Sequence, residues 1–341
     1  MRITLADIAK KVGKSQQLVS AVLNGGKSSS VASEATRRKI LAIADDMGYH
    51  PNAAAKTVAT GKFNGVGLLL SVETWKSSLP TGVLEGIRAA LTQCEMHLSL
   101  GWFSDRKLTK HDELPRIIRG LMADGLLIKY DSTIPRAMIE IVDESPIPAV
   151  WLNTKRDHDA VYPDDFSAGR MAAEHLIKLG HRRIAYIDTN PRPQQDHYSS
   201  AERLAGYAQA IRKAGLKPLD LGMRKRLSAA DAAKLVLRSV KEDDPITALV
   251  AYSDHAAWPV AYAAAREGVR VPRDLSIVSF GGSALSDFGI TLTTVTLPEA
   301  EVGRLGVEML LSKIRRPGRA LKSRALPFAL VAGDTTAPRT S

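Results

Sequence analysis

The chain has a single cysteine, Cys94, in 341 residues, so no disulfide can form within it and a secreted, disulfide-built scaffold is excluded. Long hydrophobic runs are missing too. None approaches the ~18–20 apolar residues that a helix needs to cross a bilayer. The N-terminus lacks an apolar core followed by a small-residue cleavage site, so a secretion signal is not expected. No membrane contact is expected, and the cytoplasm is the simplest location. Catalytic signatures are scarce as well. The eight histidines show neither H-x-x-x-H nor cysteine-paired spacing, so no metal site is expected. Around Ser283 a G-x-S-x-G motif fails because Leu285 takes its last position. Ser253, Asp254 and His255 are consecutive, and neighbours at a helix start do not face one another. No G-x-G-x-x-G follows a strand, since Gly65 and Gly67 precede an all-apolar run. Neither a cofactor nor catalysis is expected.

Acidic groups are few where basic ones gather. The formal net charge is +11, and residues 1–62 hold ten Lys and Arg against four Asp and Glu, a net +6 on less than a fifth of the chain. A small basic segment ahead of a larger, milder one suits a polyanionic partner, because phosphate contacts release counterions. A composition of 45% hydrophobic and 24% charged residues suits a globular protein of two or three domains.

The run ITLADIAKKVGKSQQLVSAVLN, Ile3 to Asn24, reads as two short amphipathic helices around a turn at Gly13. Thr4 and Asp7 have the T-x-x-D spacing of an N-terminal cap. Leu5, Ile8, Ala9 and Val12 repeat at i, i+3, i+4 and i+7 and define one buried stripe. Ser15 can cap the second helix, with Leu18, Val19, Val22 and Leu23 inward. Gln16, Gln17, Ser20, Ala21 and Asn24 are then outward, a face of short polar or small groups with no carboxylate. Such a face fits a DNA major groove, where an amide side chain pairs bidentately with adenine. The plainer alternative is an ordinary helical hairpin.

A third helix is expected from after Ser33 to about Met47, with Ile40, Ile43, Ala44 and Met47 inward. The polar run NGGKSSSVAS between the second and third helices reads as a connecting loop; its GKS lacks the earlier glycine of a phosphate loop, since Ala21 stands there. Asn52 begins a short helical stretch, AAAKTVA, too short to hold together alone in water. It is expected to order only when docked, which makes it a candidate switch.

From Phe63 the pattern changes. Strand-length apolar runs (Val66–Leu70, Gly125–Ile128, Ala149–Leu152, Ile184–Ile187, Ala248–Ala251, Ile277–Phe280) alternate with helical segments. The clearest of those helices are Gly82–Cys94, Phe166–Leu179, Ala201–Ala214, Ala229–Val240 and His255–Glu267. Repeated alternation argues for parallel sheets with helices on both faces, and the length suits two similar lobes. A lobe boundary is expected near Ala160–Tyr162, with the chain crossing back after Thr291. Ligands in such sheets bind beyond the carboxyl ends of the strands.

Several long stretches resemble the LacI/GalR family of bacterial transcription regulators, over essentially the whole chain. They include ITLADIAKKVGKS, VSAVLNG, SEATRRKILAIADDMGYHPNAAAKTVATGK, SAGRMAAEHLIKLGHRRIAYI, ERLAGYAQAIRKAGL, REGVRVPRDLSIVSFGG, LTTVTLPEAEVGR and DTTAP. The resemblance implies an all-α helix-turn-helix headpiece (1–51) and a hinge helix or linker (52–62) that orders on operator DNA. It also implies an α/β two-lobed, periplasmic-binding-protein-like effector and dimerisation domain (63–341). The lobes would be 63–161 with 291–325, and 162–290 with 326–341. Implied partners are pseudo-palindromic double-stranded operator DNA, a small polar effector such as a sugar, and a second copy of the chain. A homodimer is expected, since the leucine-rich tail of tetrameric members is not seen.

Carried over by position, Gln16 and Gln17 fall where members read base edges, and Thr4, Ser15, Ser20 and Asn24 where they contact phosphates or cap helices. Ala21 replaces a common arginine. Asn52, Ala55 and Val58 fall in the hinge, with Val58 in place of the leucine commonly wedged into the minor groove, so a shallower wedge is expected. Arg203 matches the arginine that grips polar effector groups, and Asp254 the aspartate after the strand ending at Tyr252. The two would face each other across a cleft, as hydroxyl-binding groups or as a lobe-bridging ion pair. Gly281 and Gly282 stand where two aspartates are common, which would enlarge and neutralise the pocket. Trp75 is a stacking residue for a flat ligand or a sugar face, or else a lid or interface aromatic. Asp164 or Asp165 is a weaker pocket candidate, with a solvated turn as the alternative. A solute-binding protein for transport and a sugar-metabolising enzyme are the competing readings of the same two-lobed fold.

Overall fold

The computed structural model describes residues 3–24, 32–49, 62–115, 117–119, 122–189, 197–221, 227–281, 286–287 and 289–339. The chain divides into two compact units, Met1–Asn64 and Gly65–Ser341. The expected hinge residues Asn52, Ala55 and Val58 lie outside the described residues.

In the first unit the capping chemistry sets the helix starts. Helix α1 (Leu5–Val12) begins with a reciprocal box: Thr4 N donates to Asp7 Oδ2 at 2.9 Å, and Asp7 N donates to Thr4 Oγ1 at 3.4 Å. Helix α2 (Gln16–Asn24) starts where Leu18 N donates to Ser15 Oγ, and α3 (Glu34–Asp46) where Thr36 N donates to Ser33 Oγ. The three helices bury Ile8, Ala9, Val12, Val19, Val22, Ile40 and Ala44 together. An exposed Lys11–Asp46 ion pair at 2.8 Å ties α1 to α3 and adds little to stability.

The second unit contains two six-stranded sheets. The first runs in the order β13-β5-β4-β3-β1-β2, from β1 (Gly65–Ser71), β2 (His97–Phe103), β3 (Gly125–Lys129), β4 (Ala149–Leu152), β5 (Ala160–Pro163) and β13 (Arg324–Leu326). All its pairings are parallel. Helices α4 (Thr81–Thr92) and α11 (Glu299–Arg315) cover one face, while α6 (Arg136–Glu144), which follows the single turn α5 (Asp105–Leu108), covers the other. The second sheet runs β14-β12-β9-β8-β6-β7, from β6 (Ile184–Ile187), β7 (Leu219–Asp220), β8 (Ala248–Ala251), β9 (Ser276–Gly281), β12 (Thr293–Thr296) and β14 (Ala329–Val331). Only β14 is antiparallel there. Helices α7 (Asp165–Lys178) and α8 (Tyr198–Lys213) pack on one face, and α9 (Ala229–Val240) and α10 (Asp254–Arg266) on the other. Between β9 and β12 a two-residue hairpin, β10 (Ser286–Asp287) and β11 (Ile290–Thr291), stands apart.

Strands buried on both faces read as unbroken apolar runs, which is why β1, β3, β4, β6, β8 and β9 were visible in the sequence. The return crossing is not where the sequence places it. Residues 293–296 pair with β9 in the second sheet, so the chain crosses back after Thr296, at Leu297–Pro298. A threonine-rich run looks like a connector, but here its hydroxyls are satisfied internally: Thr294 Oγ1 lies 3.1 Å from Ser279 Oγ and donates to Leu292 O at 3.2 Å. The first crossing follows Pro163, the last residue of β5, and a third lies between β13 and β14. The chain thus passes between the two lobes three times.

Helices α7 and α8 approach each other at backbone distance. An added Cβ at Gly169 would overlap the Arg203 carbonyl oxygen, and one at Gly206 the Phe166 carbonyl oxygen. That close contact seats Arg203 against the N-terminal turn of α7.

Candidate functional site

In the first unit, Gln16 and Gln17 are exposed at the start of α2, while Ser20 and Ala21 are half-buried. Asn24 closes the helix. The Thr4 and Ser15 hydroxyl oxygens are engaged as caps, while the Gln16 and Gln17 side chains beside Ser15 are exposed. A glutamine amide offers a donor and an acceptor side by side, the pattern that matches the adenine edge in the major groove.

In the second unit, a cleft of about 730 Å³ opens between the lobes, at the carboxyl ends of both sheets. The first lobe contributes Thr74, Trp75 and Ser78 after β1, Asp131 after β3 and Asn153 after β4. The second contributes Asp165 from α7, His197, Ser199 and Arg203 from the start of α8, and Tyr252–His255 after β8. Trp258, Phe280 and Gly281 complete that side.

Arg203, 6% exposed, donates from Nε to Asp165 Oδ1 at 2.7 Å and from a terminal nitrogen to the Tyr252 carbonyl at 2.9 Å. Its guanidinium lies 4.5 Å from the Phe280 ring centre and 4.8 Å from that of Tyr252. Stacking and a committed fork of donors hold its plane fixed. Asp131 accepts from Ser78 N at 2.8 Å, Ser78 Oγ at 2.9 Å and Asn153 Nδ2 at 3.0 Å, and pairs with the buried Lys129 ammonium. Burial alone would raise the Asp131 carboxyl, but Lys129 overrides it and holds it at about 2. His197 Nε2 lies 2.7 Å from the Asn153 carbonyl oxygen, and its Nδ1 lies 2.9 Å from Ser199 Oγ. Burial lowers its ionisation below the ordinary histidine value.

The structure corrects two expectations. Arg203 and Asp254 do not face each other across the cleft: both belong to the second lobe, and Arg203 is paired with Asp165 instead. Asp164 is not a pocket residue; it caps α7, accepting from Ser167 N at 3.1 Å, while the adjacent Asp165 turns into the cleft. Gly281 lines the cleft, and Gly282 lies outside the described residues. The bare Cα of Gly281 makes room for the Asp254 carboxylate, which an added Cβ would overlap and which accepts from Ser279 Oγ at 2.7 Å. Trp75 does line the cleft, half-buried, with the Lys76 ammonium 4.8 Å from its ring centre.

Asp131, Asn153, His197, Ser199, Tyr252, Trp258 and Phe280 were not singled out from the sequence. For Asp131 and Asn153 a signal existed, since each follows a buried strand by one or two residues. His197 has no such mark.

Two family models match the chain: "Bacterial regulatory proteins, lacI family" over residues 4–52 and "Periplasmic binding protein-like domain" over residues 173–336. The HTH-type transcriptional regulator GntR of Escherichia coli K12 is 27% identical, covering 98% of each chain. The HTH-type transcriptional regulator CelR of Thermobifida fusca is 28% identical, covering 92% of each. The chain thus carries a LacI-family helix-turn-helix domain and a periplasmic-binding-protein-like domain. Among solved structures, the Lac repressor dimer bound to operator and the anti-inducer ONPF matches with a TM-score of 0.77 at 23% identity, over 99% of this chain and 100% of that one. A LacI-family transcriptional regulator from Mycobacterium smegmatis matches at 27% identity with a TM-score of 0.60, over 81% of this chain and all of that one. LacI-family regulators thus share both the small helical unit and the two-lobed fold with this chain. Among the described residues no helix is long and apolar enough to cross a membrane.

Proposed function

We propose that this protein is a sequence-specific DNA-binding transcription regulator, acting as a repressor in the cytoplasm, whose hold on its operator is set by a small polar, sugar-like effector. The observation that carries this reading is that one chain joins a capped helix-turn-helix with Gln16 and Gln17 exposed to a clamshell whose cleft gathers polar and aromatic groups from both lobes. The protein works as a homodimer on a pseudo-palindromic duplex, with one recognition helix per half-site. Solved LacI-family structures described as an operator-bound dimer and as a cellobiose complex support both partners.

In this reading the effector fits between Trp75, Asp131 and Asn153 on one lobe and Arg203 and Asp254 on the other. It alters how the lobes close about their three crossings, and the segment carrying Asn52, Ala55 and Val58 passes that change to the headpiece. A coupling of ~1–3 kcal/mol is enough for regulation. The cleft binds and does not turn over its ligand. Enrichment of duplexes from a random pool by the full chain tests the reading. A two-fold symmetric consensus is expected, and retention of all sequences equally would overturn it.

A further inference from the structure

We infer that the cleft selects neutral, hydroxyl-rich sugars and discriminates against acid sugars and sugar phosphates. This inference rests on the reading of the cleft as the effector site and concerns the charge class of its ligand.

Three helices, α7, α8 and α10, begin at the cleft, and helix N-termini are ordinarily where an anionic ligand is held. At two of them the chain's own carboxylates stand in the first turn. Asp165, 1% exposed, sits in the first turn of α7, and Asp254 opens α10. At α8 the cap is His197, whose Nδ1 accepts from Ser199 N at 3.4 Å. An incoming carboxylate or phosphate meets a like charge at α7 and α10 and a filled cap at α8.

The lysines and the arginine at and near the cleft already have anionic partners. Arg203, the one arginine or lysine lining the cleft among the described residues, gives Nε to Asp165 and one terminal nitrogen to the Tyr252 carbonyl, and His255 and His197 are the cleft's imidazoles. Lys129 is buried against Asp131, Lys76 is paired with Asp105, and Lys155 is paired with Glu202. His197 sits with Nε2 on the Asn153 carbonyl and Nδ1 on the Ser199 hydroxyl and amide, an arrangement the neutral ring satisfies. Among the carboxylates, lysines and arginines that line the cleft, Asp131, Asp165 and Asp254 outnumber Arg203 by three to one, so the ligand meets a surplus of negative charge. Carboxylate acceptors beside the Trp75 and Phe280 rings suit hydroxyl donors on a ring with C–H faces.

The test uses the full chain with matched ligand pairs: D-glucose against D-gluconate and glucose 6-phosphate, D-galactose against D-galacturonate, D-ribose against ribose 5-phosphate, and cellobiose. Thermal shift and equilibrium titration are both read. At least one neutral sugar should bind, with its acidic counterpart at least about tenfold weaker, because like-charge juxtaposition is costly. Asp254→Asn, which keeps the side-chain shape, should narrow that ratio. Tighter binding of an acid sugar or sugar phosphate than of its neutral partner, or a ratio unmoved by Asp254→Asn, overturns the inference while leaving the cleft a sugar site. No shift with any compound overturns the sugar-effector reading itself.

Discussion

His197 Nε2 donates to the Asn153 carbonyl oxygen across 2.7 Å, joining the start of α8 in the second lobe to the end of β4 in the first. The link continues on both sides. Asn153 Nδ2 donates to Asp131, which is paired with Lys129, while His197 Nδ1 contacts Ser199 Oγ, itself 2.8 Å from the Tyr252 hydroxyl. Burial lowers the His197 ionisation below its unfolded value of 6.5, so the neutral ring belongs to the folded state. The unfolded chain therefore binds the extra proton first. The associated stability is complete above about pH 6.5 and is lost as pH falls towards the folded-state value. His175 and His181, also lowered by burial, act in the same direction. The melting temperature should fall between pH 7 and pH 5, and His197→Gln should make that fall shallower. An unchanged slope in the variant would show that His197 is not a source of it.

Arg203 and Asp165 form a buried pair, so the arginine is part of the fold as well as of the cleft. Arg203→Ala leaves Asp165 uncompensated at 1% exposure and should cost about 3–5 kcal/mol in a denaturation titration. Replacing both, Arg203→Met with Asp165→Leu, should recover most of that stability while effector binding stays lost. Equal damage in single and double variants would mean that the pair is not the source of the instability.

Gly281→Ala should weaken ligand binding with little change in operator binding. The new methyl overlaps the Asp254 carboxylate and pushes it from Ser279, a rearrangement costing about 1–3 kcal/mol of stability. Ligand titration and melting of the variant, side by side, check it. Unaltered affinity would remove Asp254 from the binding surface.

Gln17→Ala should relax base preference at one position in each half-site by about 1–3 kcal/mol. A uniform loss over all duplexes would make Gln17 a backbone contact. Thr4→Ala, which removes half of the α1 cap, should cost about 1 kcal/mol of headpiece stability without changing the preferred sequence.

The headpiece is legible in the sequence because its information is local: caps at Thr4, Ser15 and Ser33, and apolar residues at helical spacing. Central strands such as Leu126–Ile128 are legible for a related reason, since burial on both faces leaves only apolar residues. Strand β2, HLSLGWF, is not. It lies at the sheet edge, where Leu100 and Trp102 are exposed, and its composition does not separate it from a loop. Helix α11 is missed because glycines and charges interrupt its stripe. At the cleft, Arg203 is visible through the family resemblance, yet its partner is not. Nothing in the spacing distinguishes Asp164 from Asp165, although one caps a helix and the other neutralises a buried guanidinium. Likewise the consequence of Gly281 depends on where Asp254 folds, which is a fact of three dimensions.

The central claim is that ligand in the cleft and DNA at the headpiece are energetically coupled. The most direct measurement is the affinity of the full chain for its selected duplex, by fluorescence anisotropy at fixed salt, with and without a saturating sugar that raises its melting temperature. A shift of about 5- to 150-fold is expected in the native protein, and none in Arg203→Met/Asp165→Leu. Identical affinities with and without the bound sugar in the native protein would contradict the account.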